Sequence, residues 1–141
     1  MSNEQEIAGE NLTDALVRVA FQVAGVLSRI GAESDLSLTQ LRAFGALRGR
    51  RLRVTELAAD LGLDKSTISG LISRAETRGF LARAKNADDR RAVDVFLTPA
   101  GHELTVRIYD EARRELEPTL SVLSDGQREQ LQGLLRLMVR E

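Results

Sequence analysis

Apolar residues recur near the start of the chain at Leu12, Leu16, Val19, Val23, Val26 and Ile30, spaced 4, 3, 4, 3 and 4 apart. That spacing lays one seam along a helix and calls for a helical partner. Gly31 is expected to stop this helix. A Ser37-x-x-Gln40 box then opens a second one, which buries Leu41, Phe44 and Leu47 before the basic loop Arg48 to Arg51. Leu52 to Val54 reads as a minimal strand.

From Thr55 the pattern tightens. With Thr55 as N-cap, a short helix shows Leu57, Ala58 and Leu61 on one side and ends at Gly62. Asp64 can cap a further helix, 64 to 78, whose Ile68, Leu71, Ile72 and Ala75 fall at i, i+3, i+4 and i+7 and form its buried stripe. Its other side carries Lys65, Ser66, Thr67, Ser69, Gly70 and Arg74. These are small, polar or basic, and leave a front thin enough for a groove. The pair describes a helix-turn-helix.

Gly79 suits a left-handed stop. Leu81 to Lys85 and Val93 to Leu97 then read as two short strands around the polar tip NADDRRA, with Val93, Val95 and Leu97 alternating. Helix, turn, helix and basic hairpin together make a winged helix. The order and spacing of TELAADLGLDKSTISGLISRAETRGFLAR and then DDRRAVDVFLTPAG resemble the MarR family of bacterial transcriptional regulators over nearly the whole chain, the Asp89-x-Arg91 motif with LTPAG being the most specific part. The position after Ser69, where that family often carries a larger side chain, is Gly70. The resemblance implies a two-fold dimer held by the terminal helices. It implies too that Arg91 enters a minor groove while Asp89 braces it, and that a small, often phenolic or anionic effector binds between the dimer helices and the winged helix.

Beyond the wing, Thr98 and Pro99 form an N-cap and N1 pair that launches a long helix with Leu104, Ile108 and Leu116, and Pro118 is expected to interrupt it. Ser124-x-x-Gln127 starts a last helix bearing Leu131, Leu134, Leu135 and Met138 on one face. A small winged helix cannot bury both terminal stripes. They are expected to pack together and against a second copy, with Leu12, Leu16, Val19, Leu131, Leu135 and Met138 in the interface. The fold class is therefore mainly α with a small β-hairpin wing, a winged helix-turn-helix with N- and C-terminal dimerisation helices. Residues 1–141 form a single domain, with the DNA-binding winged helix at 37–97 and the dimerisation helices at 11–31 and 98–141.

Composition sharpens the functional reading. The net charge of −1 argues against a nucleic-acid partner only until its distribution is seen. Residues 48 to 91 hold eleven Lys or Arg against six Asp or Glu, a balance of +5, while the stretches before and after each stand at −3. That sectoring presents one face to double-stranded DNA. With no cysteine there is neither a disulfide nor a thiol switch. No apolar run of spanning length is read, and the polar, acidic start MSNEQEIAGEN is unlike a signal peptide, so no membrane partner and a cytoplasmic location are expected. No cofactor, metal site or enzymatic activity is expected, since one histidine and no phosphate loop give catalysis nothing to work with.

Each signal has a plainer counterpart. A helix-turn-helix pattern alone also occurs in ordinary bundles. The hairpin and the charge sectoring favour DNA, with Lys65, Ser66, Thr67, Ser69 and Arg74 on the recognition helix and Asp89, Arg90 and Arg91 on the wing. Arg48 to Arg53 suits an exposed loop as well as a phosphate contact. His102 reads as an exposed helix residue, and Phe21 and Tyr109 as core rather than cavity lining. The leading function is a homodimeric repressor of a palindromic operator, released by a small-molecule effector. The alternative is a winged-helix protein-interaction or architectural module with weak or no specific DNA binding.

Overall fold

The computed structural model describes residues 9–139; the acidic start over residues 1–8 and the last two residues lie outside it. The elements run α1 (Leu12–Glu33), α2 (Leu38–Ala46), β1 (Leu52–Arg53), α3 (Val54–Leu61), α4 (Lys65–Thr77), β2 (Leu81–Lys85), β3 (Val93–Leu97), α5 (Pro99–Leu120) and α6 (Asp125–Met138). The three strands form one antiparallel sheet in the order β1-β3-β2, with Leu52 opposite Val95 and Arg83 opposite Val95 from the other side. This is the winged helix expected from the sequence, with long helices at both ends.

Local chemistry sets most boundaries. Asn11, Ser37, Asp64, Thr98 and Ser124 each cap a helix by accepting from a backbone N–H three residues on, and at α1, α2 and α6 the third helical residue reaches back to complete the box. Gly62 and Gly79 take the left-handed conformation that ends α3 and follows α4.

Three boundaries differ from the sequence reading. Thr55 lies inside α3 rather than capping it, because the β1 pairing ends at Arg53 and the Glu56 carboxylate accepts from the Arg53 N–H at 3.1 Å. Gly31 does not stop α1, which runs to Glu33 and turns at Asp35, a non-glycine residue with φ of 57°. Gly31 is there for packing: a Cβ would stand 2.7 Å from the Leu36 carbonyl oxygen and 3.0 Å from Leu41. Finally, α5 runs through Pro118 to Leu120. The proline removes one N–H donor within the last turn, and the Ser121 N–H still reaches the Glu117 carbonyl at 2.8 Å.

The core lies between α2, α3, α4, the sheet and the first half of α5, around Phe44, Leu47, Leu57, Ile68, Ile72 and Val95. Phe44 meets Phe80 edge to face at 6.2 Å. The terminal helices sit outside this core. Only Ile30 and Gly31 of α1 are buried and nothing of α6 is, so that Leu12 is 86% exposed and Leu137 82%. Phe21, expected in the core, is 73% exposed, because the described residues leave its face of α1 uncovered.

α1 is long and apolar enough to cross a bilayer, a feature the sequence reading missed. Its apolar surface extends beyond the seam through Ala15, Val17, Ala20 and Phe21. Polar contacts nonetheless tie it to α5, where Gln22 donates to Thr119 at 2.9 Å and Arg29 pairs with Glu115.

At the far end of that packing Glu33 faces Glu111. Desolvation first, then repulsion from Glu33, a shared hydrogen bond with it and repulsion from Glu115, hold the Glu111 carboxyl above its ordinary 4.5, with Arg114 opposing. A raised carboxyl value means that this contribution to stability is present in full below pH 4.5 and is lost as pH rises through the raised value. Glu111→Gln should therefore raise the melting temperature at neutral pH and flatten the fall in stability from acid to neutral pH. A thermal melt series with the wild-type pH profile would show that the two carboxyls do not interact.

Candidate nucleic-acid interface

The buried stripe of α4 is the expected Ile68, Leu71, Ile72 and Ala75, which leaves Lys65, Ser66, Thr67, Ser69 and Arg74 exposed along one front. Asp64 organises the leading end. Its carboxylate accepts from the Thr67 N–H at 2.7 Å and from the Ser66 hydroxyl at 3.1 Å, and the Thr67 and Ser66 bonds hold it below its ordinary value of 3.8. Ser66 and Thr67 are thus both engaged by the Asp64 cap, and Ser69 stands exposed beyond it. Gly70 does not leave the front bare. The Arg74 guanidinium folds back over it, with Nη1 3.1 Å from where a Cβ would be.

Two arginines that sequence reasoning passed over hold α4 in place. Arg83 of β2 donates to Glu76 at 2.6 Å and to the Ser73 hydroxyl at 2.8 Å, tying the hairpin to α4. Arg78 donates to the carbonyls of Ser34 and Asp35 at 2.7 and 2.9 Å and lies over the Phe80 ring, fixing the end of α4 to the end of α1. Each is an arginine a few residues from its helix or strand end, and only the long-range partner distinguishes it from a solvated cation.

At the wing tip Asp89, Arg90 and Arg91 are all exposed. Asp89 accepts from the backbone N–H of Arg91 at 3.0 Å, so whatever bracing it gives acts through the main chain rather than the guanidinium. Neither Arg90 nor Arg91 has a carboxylate partner among the described residues. The RGRR loop is different. Arg48 lies 4.3 Å over the Tyr109 ring, Arg50 pairs with Asp60 at 3.6 Å, and Arg51 stands 3.9 Å from Asp94 with its guanidinium over Phe96. These side chains pin the loop to the fold.

A cleft of about 330 Å³ opens between α1, α2 and α5, lined by Leu27, Leu41, Phe44, Thr105, Ile108 and Tyr109, with Arg42 and Asp60 at its edge. Tyr109 thus lines a cavity instead of the core, and its hydroxyl rests against Gly45, where a Cβ would stand 2.7 Å away. The six residues read as interface are split between the ends of the chain. Leu12, Leu16 and Val19 lie on α1 and Leu135 and Met138 on α6, all exposed, and Leu131 is half-buried on α6.

A family model described as MarR family matches residues 34–92. The chain is 28% identical over 107 residues to the HTH-type transcriptional regulator YfiV of Bacillus subtilis, covering 75% of this chain and 67% of that one. It is 26% identical over 88 residues to the transcriptional repressor MprA of Escherichia coli K12, where the match covers 62% of this chain and spans half of that protein's length. Among solved structures, that of Bordetella bronchiseptica BpsR, whose DNA binding is regulated by 6-hydroxynicotinic acid, superposes with a TM-score of 0.71 at 27% identity over 92% of this chain and 93% of that one.

Proposed function

Because this chain belongs to the MarR family of DNA-binding transcriptional regulators, we propose that it is a homodimeric repressor that binds a palindromic operator and releases it when a small-molecule effector fills the cleft. The observation that carries this reading is the joint surface of α4 and the wing. Lys65, Thr67, Ser69 and Arg74 are exposed on α4, and the exposed Arg90 and Arg91 on the wing have no carboxylate partner among the described residues, all within the basic segment of the chain.

In this reading α4 enters the major groove with Lys65, Ser66, Thr67 and Ser69 at base edges or nearby phosphates, and Arg74 swings off Gly70 to a phosphate. Arg90 meets phosphate, and Arg91 enters the flanking minor groove, where a narrow A·T-rich sequence deepens the negative potential. Asp89 orders the turn beneath it. The residues 37–97 do the reading, and 11–31 with 98–141 join two copies so that the recognition helices meet successive major grooves about 34 Å apart. For the effector, BpsR's ligand is an aromatic carboxylic acid. The cleft offers the Tyr109 hydroxyl, an apolar wall and the Arg42 cation to a ligand of that chemistry.

A mobility shift with the DNA upstream of the protein's own gene, against random competitor, tests the proposal. Specific retention is expected; equal competition by random DNA would leave the winged helix as a protein-interaction or architectural module. Arg91→Ala should weaken operator binding by about 1 to 3 kcal/mol, with the loss concentrated on sites with A·T-rich flanks, and Arg91→Lys should recover only part of it. A uniform loss over all flanks would move Arg91 from groove to phosphate. A thermal-shift screen of aromatic acids, followed by operator release, tests the effector.

A further inference from the structure

Asp94 is one of two buried polar side chains among the described residues, 9% exposed in the central strand of the sheet. The other, Thr105, is accounted for by its bond to the Gly101 carbonyl at 2.8 Å. A carboxylate buried beside the basic segment of the chain is unfavourable on two counts: it gives up hydration, and it opposes the attraction of that segment for phosphate. Its neighbours show what it holds.

Asn86, at the base of the wing turn, donates to Asp94 Oδ1 at 2.9 Å, and Arg51 Nε stands 3.9 Å from Oδ2. Asn86 is itself a hub. Its side-chain oxygen accepts from the N–H groups of Asp88 and Asp89, both at 2.9 Å, and its own N–H donates to the Ala92 carbonyl at 3.0 Å. Asp89 continues the run: its carbonyl accepts from Ala92 and its carboxylate from the N–H of Arg91, each at 3.0 Å. One chain of contacts therefore leads from the loop before β1, through a buried carboxylate, to the backbone of the arginine at the wing tip.

We infer that Asp94 and Asn86 are positioning residues of the wing, holding the turn in the one conformation that presents Arg91 to DNA. This rests on the reading of the wing as the element that enters the minor groove. A polar turn without the Asn86 hub would sample many conformations, and inserting Arg91 would cost the entropy of ordering it. With the hub anchored on Asp94, that ordering is complete before DNA arrives. Asp94 needs no contact with DNA to affect binding.

The test separates bracing from charge. Asp94→Ala and Asp94→Asn remove the same negative charge, but the asparagine keeps an oxygen that can accept from Asn86. If charge alone mattered, both would tighten operator binding equally. Bracing instead predicts that Asp94→Ala weakens operator binding about tenfold while Asp94→Asn stays within about threefold of wild type, an effect of the size that one lost groove contact carries. Asn86→Ala, at the turn rather than in the sheet, should repeat the Asp94→Ala loss, and the two together should not add.

Binding to random DNA and the melting temperature are measured alongside. Asn86→Ala should leave both near wild type, so that it decides the matter even if Asp94→Ala is unstable. In an Arg91→Ala background, Asn86→Ala should have no further effect on operator affinity. Operator binding by Asn86→Ala as tight as wild type, while Arg91→Ala is impaired, would overturn the positioning role. If Arg91→Ala itself leaves A·T-flank preference unchanged, the minor-groove reading fails instead.

Discussion

Leu16→Glu or Leu135→Glu should yield a chain that neither dimerises nor stays folded at micromolar concentration. In the single chain Leu12, Leu16 and Val19 on α1 and Leu134, Leu135, Leu137 and Met138 on α6 lie exposed, and no residue of α6 is fully buried. Its tie to the rest of the chain includes the exposed pair of Arg128 and Glu117 at 3.0 Å, and a pair of that kind adds little stability. A helix of 14 residues is marginal in water without a covered face. The proposed dimer supplies that face from the second copy, and its two-fold symmetry places each substituted residue in the interface twice. An unpaired carboxylate buried there costs about 3 to 5 kcal/mol per copy, a large part of the stability of a domain this size. Sedimentation and circular dichroism give the readout. A folded, monodisperse monomer from either variant would show that the terminal helices do not join two subunits.

The elements legible in the sequence are those whose causes are local. The Ile68, Leu71, Ile72 and Ala75 stripe fixed the face of α4, and Ser37, Asp64, Thr98 and Ser124 marked helix starts because each cap needs only its own next three residues. What sequence reading missed has distant causes. Gly31 looked like a stop because a glycine in a helix is more often that than a gap for the Leu36 carbonyl. Phe21 looked like core because its spacing cannot say whether the partner is the same chain or another copy. For the same reason the broad apolar surface of α1 resembles a bilayer span: covering by lipid and covering by a helix require the same composition.

The candidate site divides in the same way. The exposed residues of α4 and the wing arginines could be listed from pattern and charge alone, since exposure follows from periodicity. The residues that hold them could not. Arg78 finds its carbonyl partners 43 and 44 positions away, and Asp94 reads in sequence as one polar residue among alternating apolar ones until Asn86 and Arg51 are seen beside it.

Gly101→Ala should lower the melting temperature by about 10 °C or more, corresponding to about 3 kcal/mol. The glycine closes the LTPAG stretch, and its place in the fold explains it. A Cβ on Gly101 would stand 2.0 Å from the Phe80 carbonyl oxygen and 2.9 Å from its carbon, far inside ordinary contact and against backbone that cannot rotate away. That backbone is fastened from both sides: the Phe80 N–H donates to Ala75 at 2.9 Å, its carbonyl accepts from the Thr98 N–H at 3.1 Å, and the Thr98 hydroxyl donates to Gly79 at 2.5 Å. Thr98 at the same time caps α5 through the Gly101 N–H. Relief must therefore come from moving the start of α5 away from the end of α4, which breaks the cap, the Thr105 bond to the Gly101 carbonyl and the packing of Leu104 and Ile108 together. Gly126→Ala, where a Cβ would meet nothing within 4 Å, is the control and should melt within a degree or two of wild type. Because α5 leads into α6 and, in the proposed reading, α4 carries the recognition front, a surviving Gly101→Ala protein should also lose operator affinity beyond what its unfolded fraction explains. Wild-type melting by this variant would mean that α5 does not start against Phe80, and with it the fixed angle between α5 and the winged helix would go.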